Sequence, residues 1–160
     1  GVEVTEEDDV ITVKREGGTL SPVNIKTLPY PGFPTDMHPQ FTAILATAKG
    51  TGKVYEGVWD NRFRYVDELV KMNANITVDG RTATIVGVPK LTGAPVKAVD
   101  LRAGAAMIIA GLSAEGLTEI SKVESIERGY DDIVGKLASL GADIKLVDVP
   151  DEESAQPKAN

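Results

Sequence analysis

Cysteine is absent from the 160 residues, and histidine occurs once, at position 38. The first absence removes thiolate nucleophiles, thiolate metal sites and disulfides, and it fits a reducing compartment. The second leaves a histidine-centred triad one candidate base. His38 stands beside Pro39 with no serine in a strained nucleophile turn nearby, so it reads instead as a partly exposed residue at a helix start. Long apolar runs are missing as well. The most apolar stretch, 103–112, contains Gly104 and Gly111 and is half of the ~20 residues a spanning helix needs. With no cleavable targeting segment visible, the expectation is a cytoplasmic protein. Basic clusters are also lacking. At a net charge of -7 the chain has no broad basic face for a nucleic-acid backbone, so any anion site must be local. No residue cluster calls for a metal or a cofactor.

What is there is enough for one globular domain, since 42% of the residues are hydrophobic. Val2-Glu3-Val4 and 10–14 read as two short strands around an acidic turn at 6–9. A strand over 23–27 follows, then a proline-rich segment, 29–34. From Met37 to Ala48 the apolar residues Phe41, Ile44, Leu45 and Ala48 recur at i, i+3, i+4 and i+7, which predicts a helix burying that stripe. Pro39 falls in its first turn, where the missing N–H costs nothing. A strand over 53–58, a helix over 63–72 and strands over 75–78 and 82–87 complete one series.

The series then repeats. A strand over 96–99, a helix over 101–114, a strand over 117–123, a helix over 129–140 and a strand over 143–147 follow in the same order, one strand short. Thr35-Asp36-Met37 lies over Val99-Asp100-Leu101, and Met72-Asn73-Ala74-Asn75-Ile76 lies over Leu140-Gly141-Ala142-Asp143-Ile144. The expected organisation is two βαβαββ-type units, about 19–88 and 92–149, preceded by the end of another unit at 1–16. Residues 150–160 are polar and read as a disordered tail.

The repeat sets charged residues at equivalent joints. Asp36 and Asp100 each follow a strand and open a helix, and Arg62 and Arg128 each lie between the next strand and the next helix. In a parallel crossover these joints share one edge of the sheet, together with helix N-termini whose backbone N–H groups are unpaired. Such a rim binds phosphate or carboxylate, and an Asp within it can take a proton from a hydroxyl. The plainer alternative makes both Asp residues helix caps and pairs Arg62 and Arg128 with Asp60, Glu127 or Asp131. Arg102 is a cation in the first turn of its helix, against the dipole, which favours a functional reading. Trp59 and Phe63 read as a pair packed on the rim.

At these residues the chain resembles the UDP-N-acetylglucosamine 1-carboxyvinyltransferases, a family of enolpyruvyl transferases. The matching runs are Pro31-Gly32-Phe33-Pro34-Thr35-Asp36-Met37, Asp60-Asn61-Arg62-Phe63, Thr92-Gly93-Ala94, Asp100-Leu101-Arg102-Ala103 and Glu127-Arg128-Gly129-Tyr130. The resemblance spans nearly everything but the tail, and it implies the C-terminal part of such an enzyme. The relative that makes 5-enolpyruvylshikimate-3-phosphate has the same architecture but differs around the first Asp.

The resemblance implies an α/β fold of repeated βαβαββ units forming an inside-out barrel domain, with the active site between two such domains. It implies transfer of the enolpyruvyl group of phosphoenolpyruvate to the 3-hydroxyl of UDP-N-acetylglucosamine, the first committed step of peptidoglycan synthesis, with no cofactor. By the same resemblance Asp36 is the general base at the sugar hydroxyl, and Val58 contacts the nucleotide sugar through its backbone. Arg62 and Arg102 hold the carboxylate of phosphoenolpyruvate, Arg128 holds its phosphate, and Asp100 lies beside the reacting carbon. The family's Cys- or Asp-bearing loop and a phosphoenolpyruvate-contacting Lys belong to a part not in this chain, so the partner is the N-terminal domain and the chain alone is expected to be inactive. A stand-alone module binding phosphorylated sugars, or a repeat with no ligand, are the competing readings.

Overall fold

Two parallel crossovers position everything that follows. The computed structural model describes residues 1–148, and the tail expected at 150–160 lies outside them. Strand β3 (Asn24–Lys26) leads through a 3-10 turn (Thr35–Met37) and helix α1 (His38–Leu45) to the parallel strand β4 (Thr51–Tyr55), pairing Ile25 with Val54. Helix α2 (Val66–Lys71) and the hairpin β5 (Asn75–Asp79) and β6 (Thr82–Val86) complete a four-stranded sheet in the order β3-β4-β6-β5. The second crossover runs from β7 (Pro95–Lys97) through α3 (Leu101–Ser113) to the parallel β8 (Glu119–Ser121). Ahead of both, β1 (Glu3–Glu7) and β2 (Val10–Lys14) form an antiparallel hairpin with every residue exposed.

Helices α1 and α3 pack on each other, and the core they share includes several small buried residues, Ala43 on α1, Ala46 at its end, and Ala103, Ala106 and Ala110 on α3. Methyl-sized side chains let the helix axes approach, and Leu45, Leu69, Met72, Ile85 and Met107 fill the space around them. The buried face of α1 is turned from the predicted stripe. Leu45 and Ala48 are buried and Phe41 partly so, but Ile44 is exposed and His38, Thr42 and Ala43 face inward. The buried carboxylate of Glu68 on α2 accepts from Lys71 Nζ at 2.7 Å and from the Lys97 amide of β7 at 2.9 Å, tying the two crossovers together.

The second series departs from its predicted form in two places. The helix expected over 129–140 is shortened to α5 (Ile133–Ser139), and a separate helix that the sequence reading did not expect, α4 (Glu124–Gly129), precedes it. Asp132 takes a left-handed backbone, φ 44°, and its side chain accepts from the Gly135 amide, starting α5 afresh. Residues 143–147 form no strand. In the first series β5 pairs only with β6, and among the described residues the second series has no counterpart of β6 to pair with them.

Candidate active site

Asp36, Arg62 and Arg102 meet at the end of the α1–α3 contact. Arg102 grips the Asp36 carboxylate with two nitrogens, Nε 2.8 Å from Oδ1 and Nη2 2.9 Å from Oδ2. This is the two-point geometry that a planar guanidinium offers and an ammonium cannot. Arg62 Nη2 stands 3.6 Å from Oδ1. The Arg102 hydrogen bonds, and then the charges of Arg102 and Arg62, hold the Asp36 carboxyl below the usual carboxylate range.

The local sequence explains why Asp36 is free to do this. The predicted cap role belongs only to Asp100, whose Oδ1 accepts from the Ala103 amide at 2.8 Å at the start of α3. Asp36 sits inside the 3-10 turn, and neither that turn nor α1 has a side-chain cap. Its side chain is half exposed and turns outward to the arginines. Arg62 follows Asn61, which takes a left-handed backbone, φ 55°, that asparagine tolerates better than most residues. Asp60, its alternative partner, is taken by Arg81.

Arg128 is not brought into this group. It lies in the last turn of α4, exposed, with Nε donating to the Glu124 carbonyl at 3.3 Å, and no ion pair joins it to Asp100, Glu127 or Asp131 among the described residues. Trp59 and Phe63 also part company. Phe63 is buried against His38, with ring centroids 5.3 Å apart, while Trp59 remains 58% exposed.

Beneath the rim lies a buried polar group that the sequence reading missed. Glu56 is 1% exposed, yet its Oε1 accepts from the amides of Val58 at 2.7 Å and Trp59 at 2.9 Å, and its Oε2 accepts from Thr35 Oγ1 at 2.7 Å. Those bonds outweigh burial and leave the Glu56 carboxyl below its ordinary range. A signal was available in the alternation of this segment, because Gly52, Val54 and Glu56 share the inward face. Gly57 allows the tight exit from β4: a side chain there would meet the Thr27 carbonyl at 2.4 Å.

His38, expected to be partly exposed, is fully buried beside Glu56. Thr42 Oγ1 spends its proton on the His38 carbonyl at 2.8 Å, so the Tyr65 hydroxyl donates to Thr42 and accepts from His38 Nδ1 at 3.0 Å. His38 Nε2 is then a bare acceptor, 3.2 Å from Glu56 Oε2 and without a hydrogen-bond partner. Burial lowers the His38 pKa to about 4, despite the opposing charge of Glu56.

A histidine near 6.5 when unfolded and near 4 when folded makes the unfolded state take up the extra proton between those values. Stability is therefore complete above pH 6.5 and falls as the pH drops through that window, by roughly 3 kcal/mol in all. Urea unfolding at pH 7 and pH 5 checks this. The wild type loses stability between the two, and His38→Gln shows a smaller difference.

With this geometry in place, the comparisons decide the family. The family model described as EPSP synthase (3-phosphoshikimate 1-carboxyvinyltransferase) matches residues 1–137. The chain belongs to the EPSP synthase family. Within it, a UDP-N-acetylglucosamine 1-carboxyvinyltransferase of Clostridium botulinum is 60% identical over 144 residues, covering 90% of this chain and 34% of that relative. One of Desulfofundulus thermocisternus is 51% identical over 99% of this chain and 65% of its own length. The enolpyruvyl transferase NikO from Streptomyces tendae matches in structure with a TM-score of 0.82 at 32% identity, covering 91% of this chain and 34% of that one. EPSP synthase from Acinetobacter baumannii shares the fold at 19% identity and a TM-score of 0.59. The chain thus spans about a third of the length of several of the relatives it matches.

Proposed function

We propose that this chain supplies half of the cleft of an enzyme that transfers the enolpyruvyl group of phosphoenolpyruvate to the 3-hydroxyl of UDP-N-acetylglucosamine. The observation that carries the reading is the two-point grip of Arg102 on Asp36 beside Arg62, at the positions the family resemblance assigns to the two substrates. Identities of 60% and 51% to transferases acting on this nucleotide sugar, against 19% to EPSP synthase, favour it over shikimate 3-phosphate. The other domain of the cleft is the partner, the two repeat units are 19–88 and 92–149, and the compartment is the cytoplasm. Among the described residues no helix is long and apolar enough to cross a membrane, and none gather as metal ligands.

In the reaction, Asp36 accepts the hydroxyl proton as the sugar oxygen bonds to the enol carbon, and the π pair of the double bond takes up a proton at the neighbouring CH2 carbon. The bond from the enol carbon to the phosphate oxygen then breaks as that neighbouring carbon gives up a proton and the double bond re-forms, so that in the net balance the hydroxyl proton leaves with phosphate. Arg62 and Arg102 hold the substrate carboxylate, Arg128 reaches the phosphate from the end of α4, Asp100 flanks the reacting carbon, and the Val58 backbone holds the nucleotide sugar.

In the structure Arg102 is occupied by Asp36. An arriving carboxylate competes for the same guanidinium and returns Asp36 towards ordinary carboxylate basicity, so binding one substrate prepares the base for the other. Phosphate release from the two substrates tests the proposal. The chain alone should give none, because half the cleft and its exclusion of water are missing. Grafted in place of the matching segment of the Clostridium botulinum relative, it should support turnover.

A further inference from the structure

We propose that Glu56 is a positioning residue that sets the spacing between the base Asp36 and the Val58–Trp59 segment, and so the placement of the nucleotide sugar. This rests on the reading of the site given above. Among the described residues Glu56 is the one buried carboxylate touching both segments. Its Oε1 fixes the amides of Val58 and Trp59, and its Oε2 fixes Thr35, the residue before Asp36. The backbone of Glu56 is itself anchored: its amide donates to the Arg81 carbonyl at 2.8 Å, and its carbonyl accepts from Arg81 Nη1 at 3.3 Å. Next along the chain the Gly57 amide donates to Thr27 Oγ1 at 2.8 Å, on a fully buried threonine.

The start of the segment is therefore held by two buried side chains, Glu56 and Thr27. Without the carboxylate, two amides and a hydroxyl lose their acceptor together, and the loop and the 3-10 turn lose their common reference. Arg62 lies beyond this segment, next to the buried Phe63, and Arg102 and Arg128 lie on α3 and α4, so the grip on phosphoenolpyruvate depends less on it.

The chemistry of the contacts separates two variants. Glu56→Ala removes every bond. Glu56→Gln keeps an oxygen for the Val58 and Trp59 amides and places an NH2 group where Oε2 stood. That group can donate to His38 Nε2, which now lacks a partner, and to Thr35 Oγ1, whose hydroxyl can accept as well as donate. The conservative variant thus removes the charge, keeps the positioning and relieves the two facing acceptors.

The test is steady-state kinetics of both variants in the grafted enzyme, with hydrogen exchange on the 160-residue chain. Glu56→Ala should raise KM for UDP-N-acetylglucosamine about tenfold or more and lower kcat about tenfold, with KM for phosphoenolpyruvate changed by less than about threefold. Glu56→Gln should stay within about threefold of wild type throughout, with Tm raised by about 2–4 °C. Amides of Val58 and Trp59 should exchange faster in Glu56→Ala and not in Glu56→Gln. Unchanged exchange and kinetics in Glu56→Ala overturn the positioning role while leaving the site reading intact. So does an equal rise in both KM values, which marks a general structural loss, or a fall in Glu56→Gln as deep as in Glu56→Ala. A wild-type graft without turnover overturns the site reading, and this inference with it.

Discussion

Asp36→Asn in the grafted enzyme is expected to lower turnover by about a hundred- to ten-thousand-fold, the range a placed general base contributes. The replacement is nearly isosteric, and its amide oxygen can still accept from Arg102. The carboxylate is half exposed, so its ion pairs add little stability, and the fold should be kept. The rate and the melting temperature should therefore separate. A large fall in kcat with a Tm close to wild type supports the base assignment, and a parallel fall in both assigns Asp36 to structure.

The second large effect comes from replacing arginine by lysine. Arg62→Lys and Arg128→Lys each keep the charge but lose the planar fork, and each should lower kcat/KM by about ten- to a hundredfold. Their pH profiles should differ. Arg62 is one of the two arginines holding the Asp36 carboxyl down, after Arg102, whereas Arg128 has no contact with it. Loosening the Arg62 interaction raises the pKa of Asp36, and the base works only when ionised. The acid limb of the rate profile therefore moves to higher pH in Arg62→Lys and stays in place in Arg128→Lys. Near-normal kinetics in both variants would remove the anion-clamp assignment.

Much of this was legible because the determinants are local. The alternation around Ile25 and Val54 and the apolar pattern from Leu101 onward gave both crossovers and their parallel strands, and the Asp100 cap needs only the residues that follow it. What failed depended on distant partners. His38 is buried because Tyr65, 27 positions away, receives its Nδ1, and no helical pattern reports that bond. Ile44 faces out because α1 turns the neighbouring face that carries Thr42 and Ala43 inward, towards the core it shares with α3. Residues 143–147 have the sequence of a strand, but strand formation is a property of a pair.

The site divides in the same way. The repeat places Asp36, Arg62, Asp100 and Arg128 on one rim but does not say which of them touch, and the strongest contact joins Asp36 of the first copy to Arg102 of the second. That contact exists because α1 and α3 pack on each other, which the offset between copies does not disclose. Arg128 was placed at a helix start, and the break between α4 and α5 instead leaves it at a helix end, apart from the cluster. Glu56 falls within the strand expected over 53–58, where a glutamate ordinarily marks the solvent face.

The central claim is that this rim is half of a cleft for enolpyruvyl transfer, and the most direct measurement is phosphate release by the wild-type graft with each substrate alone and with both together. The account predicts release only when phosphoenolpyruvate and UDP-N-acetylglucosamine are both present, and none from the chain by itself. A folded graft that releases no more phosphate than a protein-free control, or an isolated chain that does release it, would contradict the account.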